Sequence, residues 1–201
     1  MELDEVLRRR RMVRHFDGRP IDSATVERIV AAGLRAPSAG FSQGYAVLLL
    51  TDDADRQRFW EATSVDLTTA SWSAETRAGV MKASVIAVML SNKGAYLDRY
   101  AQPDKGWTDR DESRWTAPYW HIDTGMVALL MLLKAVDEGL GALFIGMAPS
   151  AIPQFRAAFD VPDDHDVVGV VCLGHEAANA PRRNLQARRL PVDDVVHRGS
   201  W

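Results

Sequence analysis

Cysteine is almost absent from this sequence. Cys172 is the single one among 201 residues, so no disulfide can form within the chain. A composition of this kind is typical of proteins from a reducing compartment. The first residues also lack the basic start, apolar run and small-residue cleavage site of a signal peptide. We therefore expect a cytoplasmic protein.

A basic excess and a long apolar run are missing as well. The net charge is -3 and the isoelectric point is about 5.9, which argues against a general binder of nucleic acids or membrane surfaces. The longest apolar stretch, residues 126–136, is interrupted by Lys134 and is shorter than the roughly 20 residues that cross a bilayer. The sequence thus predicts no nucleic acid and no membrane among its partners.

The hydrophobic residues that are present, 47% of the chain, predict one domain over residues 1–201. Their spacing predicts both helices and strands. The predicted helices cover residues 1–11, 22–36, 55–70, 117–138 and 150–159, and the predicted strands cover 45–52, 84–91, 142–147 and 166–174. The segment 91–115 is charged, aromatic and interrupted by glycine and proline, which indicates a loop that caps a site.

A short match to a hydrolase motif lies at Gly40–Gly44, where the order G-x-S-x-G centres on Ser42. In a serine hydrolase this turn follows a strand and opens a helix. Here a predicted helix precedes the turn and a predicted strand follows it. A serine hydrolase that uses Ser42 therefore stays a weak alternative.

Other motifs of cofactor and metal sites are missing from the sequence. The glycine-rich stretch 139–146 lacks the G-x-G-x-x-G order of a Rossmann phosphate loop. His121 and Asp123 are two residues apart on a predicted helix and so diverge, and no Cys, His or acidic cluster has metal-ligand spacing. We predict no metal site.

Arginines are concentrated near the two ends of this acidic chain, at 8–14 and at 182–190. If the ends approach each other, the two clusters can grip an anion such as a phosphate, which guanidinium geometry suits. Arg10 and Arg14 then share a face if the first helix extends that far. Solvated arginines at a helix end and in a tail are the simpler alternative, and a basic tail for RNA is a third.

Four short segments, taken in chain order, resemble the signatures of the FMN-dependent nitroreductase family. They are Arg10–Arg14, Ala36–Ser38 with Phe41–Tyr45, the stretch GLGALFIGM at 139–147, and Arg188–Pro191. The resemblance runs over nearly the whole chain, and the order of the segments makes it specific. It also gives the two arginine clusters a common ligand.

The resemblance implies which residues bind the cofactor, FMN. The residues so assigned are Arg10, Arg11, Met12, Arg14, Pro37, Ser38, Ala39, Phe41, Gln43, Ile145, Gly146, Met147, Arg188 and Arg189. Arginines of the first and last segments are expected on the flavin phosphate and pyrimidine, and the backbone at 145–147 on flavin N5. Met12 stands where the family usually has serine and Phe41 where asparagine is common, so two polar contacts of the family are absent.

The resemblance also implies a fold and a reaction. Periodicity alone predicts a doubly wound α/β sheet, whereas the family predicts an α+β fold: a central mixed sheet flanked by helices in an intertwined homodimer. In that dimer the 37–39 segment reaches the FMN bound mainly by the other subunit. The family passes a hydride from NAD(P)H through flavin N5 to an electron-poor acceptor, which requires no side-chain acid or base.

Several points stay open at the level of sequence. The donor is NADH, NADPH or a reduced deazaflavin, and the acceptor is a nitroaromatic, quinone or enone type. Six aromatic residues line the acceptor pocket or are ordinary core or dimer contacts: Phe41, Tyr96, Trp107, Trp115, Tyr119 and Trp120. A flavin-binding protein without reductase turnover is the alternative from another functional class.

Overall fold

The structure, a computed structural model, describes residues 1–63, 72–181, 185 and 188–201. Seven α-helices lie in this described part of the chain: α1 (Leu3–Arg9), α2 (Ser23–Gly33), α3 (Asp53–Thr63), α4 (Ala74–Met81), α5 (Lys93–Tyr100), α6 (Tyr119–Asp137) and α7 (Ile152–Phe159). The four strands described are β1 (Tyr45–Leu50), β2 (Val85–Ser91), β3 (Gly141–Ile145) and β4 (Asp166–Gly174). Short 3-10 helices occur at Ala39–Phe41, Glu112–Arg114, Pro149–Ala151 and Val192–Asp194.

All four predicted strands are present, and each of the five predicted helices has a counterpart. The helix predicted over 55–70 is α3, which begins at Asp53, and residues 64–71 lie outside the described part. The prediction of a loop over 91–115 is wrong for its first part, because α5 occupies Lys93–Tyr100. Asn92 begins that helix by accepting a hydrogen bond from the Ala95 N–H at 3.0 Å. Helix α4 has no counterpart among the predicted helices.

The four strands form one sheet in the order β1-β2-β4-β3, and every neighbouring pair is antiparallel. A doubly wound sheet requires parallel strands, so the interpretation from periodicity is wrong and the α+β class is confirmed. The predicted sheet was mixed. Among the described residues the one parallel pairing is an isolated bridge between Met12 and Ala142.

Both faces of the sheet are covered, which explains why β2 is apolar along its length and buried at every residue. One hydrophobic core lies between the sheet and helices α3, α4 and α7. Val13 and Phe16 of the N-terminal segment belong to this core. A second core lies between the sheet and helices α2 and α6. The N-terminal segment pairs with edge strand β3 through Met12 and Ala142, and its buried side chains enter the core on the face opposite α6.

Helix α6 is the longest helix described. By length and composition it could cross a membrane, but half of that stretch is buried inside the fold, as in the core helix of a soluble protein. Asp123 and Thr124 are among its buried residues. Its apolar character is therefore explained by the core that it forms with α2 and the sheet.

Candidate functional site

The first arginine segment is extended and not helical, because α1 ends at Arg9. Val13 donates its N–H to the Ala142 carbonyl at 2.9 Å, which holds the segment against β3. Successive side chains of an extended chain point to opposite faces. Arg10, Met12 and Arg14 therefore share one face, although the helix that was expected to bring Arg10 and Arg14 together stops short.

Arg11 lies on the other face of this segment. Its guanidinium pairs with Glu176, and it lines a cleft of about 590 Å³ together with Arg8, Arg9 and the buried side chain of Val13. Arg10 and Arg14 do not line this cleft. The structure thus separates the Arg11 side chain from Arg10 and Arg14, which were predicted to bind the same ligand.

On the first face, the Arg10 guanidinium has no hydrogen bond or ion pair with any residue that the structure describes. Arg14 donates to the Met12 carbonyl at 3.2 Å and lies 5.8 Å from the centre of the Trp72 ring. The Met12 sulfur accepts the Phe144 N–H at 3.4 Å. That contact places Met12 against the third segment, at the residue that precedes Ile145–Met147.

The third segment presents bare backbone where β3 ends. Gly146 has an ordinary φ, and a Cβ added to it would meet nothing within 4 Å, so no residue that the structure describes requires glycine at this position. No hydrogen bond to the Gly146 or Met147 N–H is found in the described part of the chain. A glycine of this kind suits the close approach of a flat ligand to the backbone.

The second segment forms a tight loop before β1. Gly40, Phe41 and Gln43 all have left-handed backbones, with φ values of 61°, 57° and 51°. Such a conformation costs on the order of 1–3 kcal/mol at each non-glycine residue and persists where the surroundings enforce it. The Gln43 N–H donates to the Ser38 hydroxyl at 3.0 Å, and the Phe41 ring is 74% exposed.

Three residues outside the predicted set enforce this loop. Asp123 accepts the Ala39 N–H at 2.8 Å, and Arg99 donates to the Gly40 carbonyl at 2.9 Å. The Tyr96 hydroxyl donates to the same Asp123 oxygen at 2.7 Å. Burial, with the Asp123 hydrogen bond as a smaller cause, raises the pKa of Tyr96 far above its usual range, so this hydroxyl stays protonated.

Sequence reasoning missed these anchors because 92–100 looked like a loop and Asp123 has no motif around it. The one available signal was an acidic residue among apolar neighbours on a long helix. The expectation that His121 and Asp123 diverge is confirmed, since His121 bonds to Ser91 instead.

The predicted site segments lie at one end of the sheet but on its two edges. Residue 45 begins β1, residue 145 ends β3, and β2 and β4 run between them. Three strand spacings amount to about 14 Å. The structure therefore places Met12 beside the strand that ends at Ile145, with Arg10 and Arg14 two residues to either side of it, but places the 37–43 loop on the far edge.

The C-terminal arginines form no described contact with this group. Arg188 and Arg189 are exposed, as is every residue from 188 to 201. Five apolar side chains of this stretch are 45–100% exposed: Leu190, Val192, Val195, Val196 and Trp201. We call residues 188–201 the C-terminal arm.

Neither Ser42 nor Ser91 suits the role of a hydrolase nucleophile. Ser42 lies between a 3-10 helix and β1 and donates to the Ala39 carbonyl at 2.6 Å. Ser91 does meet His121, with its hydroxyl 2.9 Å from Nδ1, while Asp166 is 4.0 Å from Nε2. Catalytic triads place serine at Nε2 and the acid at Nδ1, and Ser91 is fully buried, so this cluster offers no nucleophile to a substrate.

The aromatic residues of 96–120 pack mainly on one another. The Trp115 ring centre lies 4.5–6.1 Å from the ring centres of Tyr96, Tyr100, Trp107, Tyr119 and Trp120. Tyr96 and Trp120 are buried, whereas Phe41 and Tyr119 keep exposed faces. Of the six aromatics proposed for an acceptor pocket, Tyr96 and Trp120 are core residues.

Comparison with known proteins places this arrangement in a family. The profile of the Nitroreductase family matches residues 7–175, most of the chain. The chain belongs to the nitroreductase family. The resemblance deduced from four short segments is thereby confirmed, and with it the predicted enzyme class, a nitroreductase-type oxidoreductase.

Relatives that align over nearly the whole chain are distant in sequence. The chain is 26% identical over 200 residues to an NADPH-flavin oxidoreductase of Vibrio harveyi. The alignment covers 98% of this chain and 73% of the relative. It is 22% identical to an NADPH-dependent oxidoreductase of Staphylococcus aureus, with 98% and 72% covered.

Solved structures share the fold. A nitroreductase family protein from Clostridium difficile superimposes with a TM-score of 0.72 at 18% identity and covers all of both chains. A nitroreductase from Exiguobacterium sibiricum, solved in complex with FMN, gives a TM-score of 0.73 at 18% identity, with 98% and 97% covered.

Proposed function

We propose that this chain is an FMN-dependent oxidoreductase that passes a hydride from NAD(P)H to an electron-poor acceptor of nitroaromatic, quinone or enone type. The family membership, the NADPH-dependent relatives and the FMN complex of a structural neighbour support FMN as cofactor and NAD(P)H as donor. When bound, FMN supplies the hydride-transfer chemistry at its N5 atom. A reduced deazaflavin is kept as a further donor to be tested.

The single observation that carries this proposal is the bare backbone at Gly146 and Met147. Nothing in the described part of the chain explains a glycine at 146, and the Gly146 and Met147 N–H groups have no partner there. A flat ring that lies on this backbone accepts a hydrogen bond from one of these N–H groups. A phosphate within reach of Arg10 gives that guanidinium the partner it lacks.

The chain's own residues then have distinct tasks. Arg10, and Arg189 from the C-terminal arm, neutralise the phosphate, while Arg14 stabilises negative charge on the pyrimidine side of the reduced cofactor. The Gly146 or Met147 N–H orients the ring at N5. Met12 fills the place of a serine with an apolar side chain, and Arg11 contributes through its backbone, since its guanidinium pairs with Glu176.

We further propose that the active form is a homodimer. The 37–43 loop and the 145–147 backbone lie on opposite edges of one sheet, so a second copy is needed to bring such a loop onto this backbone. An apolar stripe along α6 supports a partner, because Tyr119, Ile122, Met126 and Leu129 are 37–49% exposed on one side of that helix. The exposed apolar residues of the C-terminal arm support it as well. We keep the cytoplasm as the proposed location.

The visible spectrum of the purified protein tests the proposal. We expect flavin absorbance, release of FMN on denaturation, and bleaching when NADPH, NADH or a reduced deazaflavin is added without oxygen. Oxidation by an added nitroaromatic or quinone then completes the cycle. Colourless protein that cannot be reconstituted with FMN contradicts the proposal, and bound FMN that no donor reduces favours the non-catalytic flavin-binding alternative.

A further inference from the structure

Asp123 is a carboxylate in the interior of the protein. It is 3% exposed, and no lysine, arginine or histidine forms an ion pair with it in the part of the chain that the structure describes. One of its oxygens accepts two hydrogen bonds from neutral donors, the Ala39 N–H at 2.8 Å and the Tyr96 hydroxyl at 2.7 Å. The two donors belong to separate parts of the chain.

Stability gives no reason for an acid at this place. A carboxylate that loses water and gains only neutral donors is costly to bury, and apolar residues of similar size serve a core as well or better. About one turn to either side of Asp123 on α6 lie the buried apolar residues Trp120 and Val127. A different role must therefore favour the acid, and its contact with Ala39 identifies that role.

Ala39 opens the part of the second segment in which the backbone is left-handed. The loop is held at two successive residues: Asp123 accepts a hydrogen bond from the Ala39 N–H, and Arg99 donates one to the Gly40 carbonyl. Arg99 is itself fixed by two hydrogen bonds to Asp104, at 2.8 and 2.7 Å. Tyr100 closes the third side, since a Cβ on Gly40 would lie 2.6 Å from its ring.

We propose that Asp123 is a positioning residue for flavin binding, which holds the 37–43 loop through the Ala39 N–H with Tyr96 as its second donor. The inference rests on the proposed function, in which this loop contacts FMN. It also assigns a task to α5: this helix carries Tyr96, Arg99 and Tyr100 and holds the loop in place.

The test separates positioning from folding by removing both buried polar groups at once. In the double variant Asp123→Leu/Tyr96→Phe the carboxylate and the hydroxyl disappear together, so neither is left without its partner inside the core. The Ala39 N–H alone loses its acceptor. Asp123→Asn is the conservative variant, because an amide oxygen accepts the same two hydrogen bonds.

Thr124→Val is the matched control. Thr124 is fully buried on the same helix, and its hydroxyl donates to the Trp120 carbonyl within α6, away from the loop. For each full-length protein we would measure the melting temperature without cofactor, the Kd for FMN, and the visible circular dichroism of the bound flavin. The last two report the geometry of the site.

We expect the double variant to melt within about 4 °C of wild type and to bind FMN at least about tenfold more weakly, with an altered flavin signal. Asp123→Asn and Thr124→Val should bind FMN within about threefold of wild type. If the double variant does not fold, the single variant Tyr96→Phe decides, and a weakening of about three- to tenfold supports the inference.

Full FMN affinity in the double variant, or in Tyr96→Phe where that decides, overturns the inference while the proposed function stands. Equal weakening by Thr124→Val overturns it too, because the effect then follows from core damage. Failure of Asp123→Asn to retain affinity refutes the role of the Ala39 hydrogen bond. Wild-type protein that does not bind FMN refutes the proposed function and this inference together.

Discussion

Arg8 and Arg10 are two residues apart in sequence and have different environments. Arg8 projects from α1, is 71% exposed and pairs with Glu5. Arg10 is half-buried at the end of that helix, and its guanidinium has no partner among the described residues. A cation held in place without a carboxylate is available to an anionic ligand.

For single residues we predict a difference between these two arginines. Arg10→Ala should weaken FMN binding by roughly ten- to a hundredfold, because a charge-assisted hydrogen bond to phosphate is worth about 1.5–3 kcal/mol. Arg189→Ala should act alike. Arg8→Ala should leave the Kd within about twofold, as expected for an exposed ion pair. Fluorescence titration with FMN measures all three.

Riboflavin provides the ligand control because it lacks the phosphate. The wild type should bind it much more weakly than FMN, and Arg10→Ala should bind it about as well as wild type does. Equal losses for riboflavin and FMN would show that these arginines act through folding or general charge.

Single residues also show the limit of prediction from this sequence. Arg10, Met12 and Gly146 were predicted as site residues because they stand in motifs, and the structure places Met12 beside β3, the strand that ends just before Gly146. Asp123 and Arg99 were not found, because their partners are backbone groups 84 and 59 positions away. Long-range hydrogen bonds to backbone leave no local pattern in one sequence.

Among the elements, strands were predicted better than helices. Each strand is a short, nearly continuous apolar run because both faces of the sheet are buried, and such runs are readable locally. Helices α4 and α5 each bury only one residue, Val80 and Tyr96 respectively. They lack a broad apolar stripe, which is the signal that predicts a helix.

The exposed side of α6 should be the centre of a subunit interface. We predict that Met126→Glu converts the proposed dimer to a monomer and releases FMN, because a charge on an apolar interface loses its hydration without gaining a partner. Light scattering coupled to gel filtration measures the mass.

Asp163→Lys, a comparable change at a fully exposed carboxylate, is the control and should leave the mass unchanged. A variant Met126→Glu that keeps the wild-type mass would place the interface elsewhere.

The carboxyl end of α6 should make stability depend on acidity. Hydrogen bonds from Arg28 and Lys134 lower the pKa of Glu138 from 4.5 to about 2. Lys134 and the N-terminal amine lower the pKa of Asp137 to about 2. Because both folded-state pKa values are depressed, their stabilisation is present above about pH 4.5 and is lost as the pH falls toward 2.

We therefore predict that Glu138→Gln lowers stability at pH 7 by on the order of 1 kcal/mol, about 2–4 °C in Tm. At pH 2 the variant and the wild type should converge. Melting curves between pH 7 and pH 2 check this, and a constant difference over that range would contradict the ion-pair explanation.

For the whole molecule, the proposed dimer assigns the two edges of the sheet to different chains at each flavin site. If each site takes its arginine from one chain and its loop from the other, two different defects can complement each other. We predict that a mixed dimer of Arg10→Ala and Asp123→Leu/Tyr96→Phe chains regains one site of wild-type affinity. Differently tagged chains, purified as the mixed species and titrated with FMN, provide the measurement.

In that mixed dimer the second site carries both defects and should bind worse than either parent. If each of the two sites instead binds FMN as weakly as one of the parent variants, the loop and the arginine act within one chain.

The separation of the loop from the bare backbone at 146–147 has a thermodynamic consequence. A ligand held by both chains binds the associated form and not the separated chains, so it stabilises the dimer by mass action, by about 2.7 kcal/mol per site at a free ligand concentration of 100 Kd. The apparent affinity for flavin then depends on how much protein is in solution. Dilution should release the cofactor, and a cell that makes little of this chain would hold much of it without flavin.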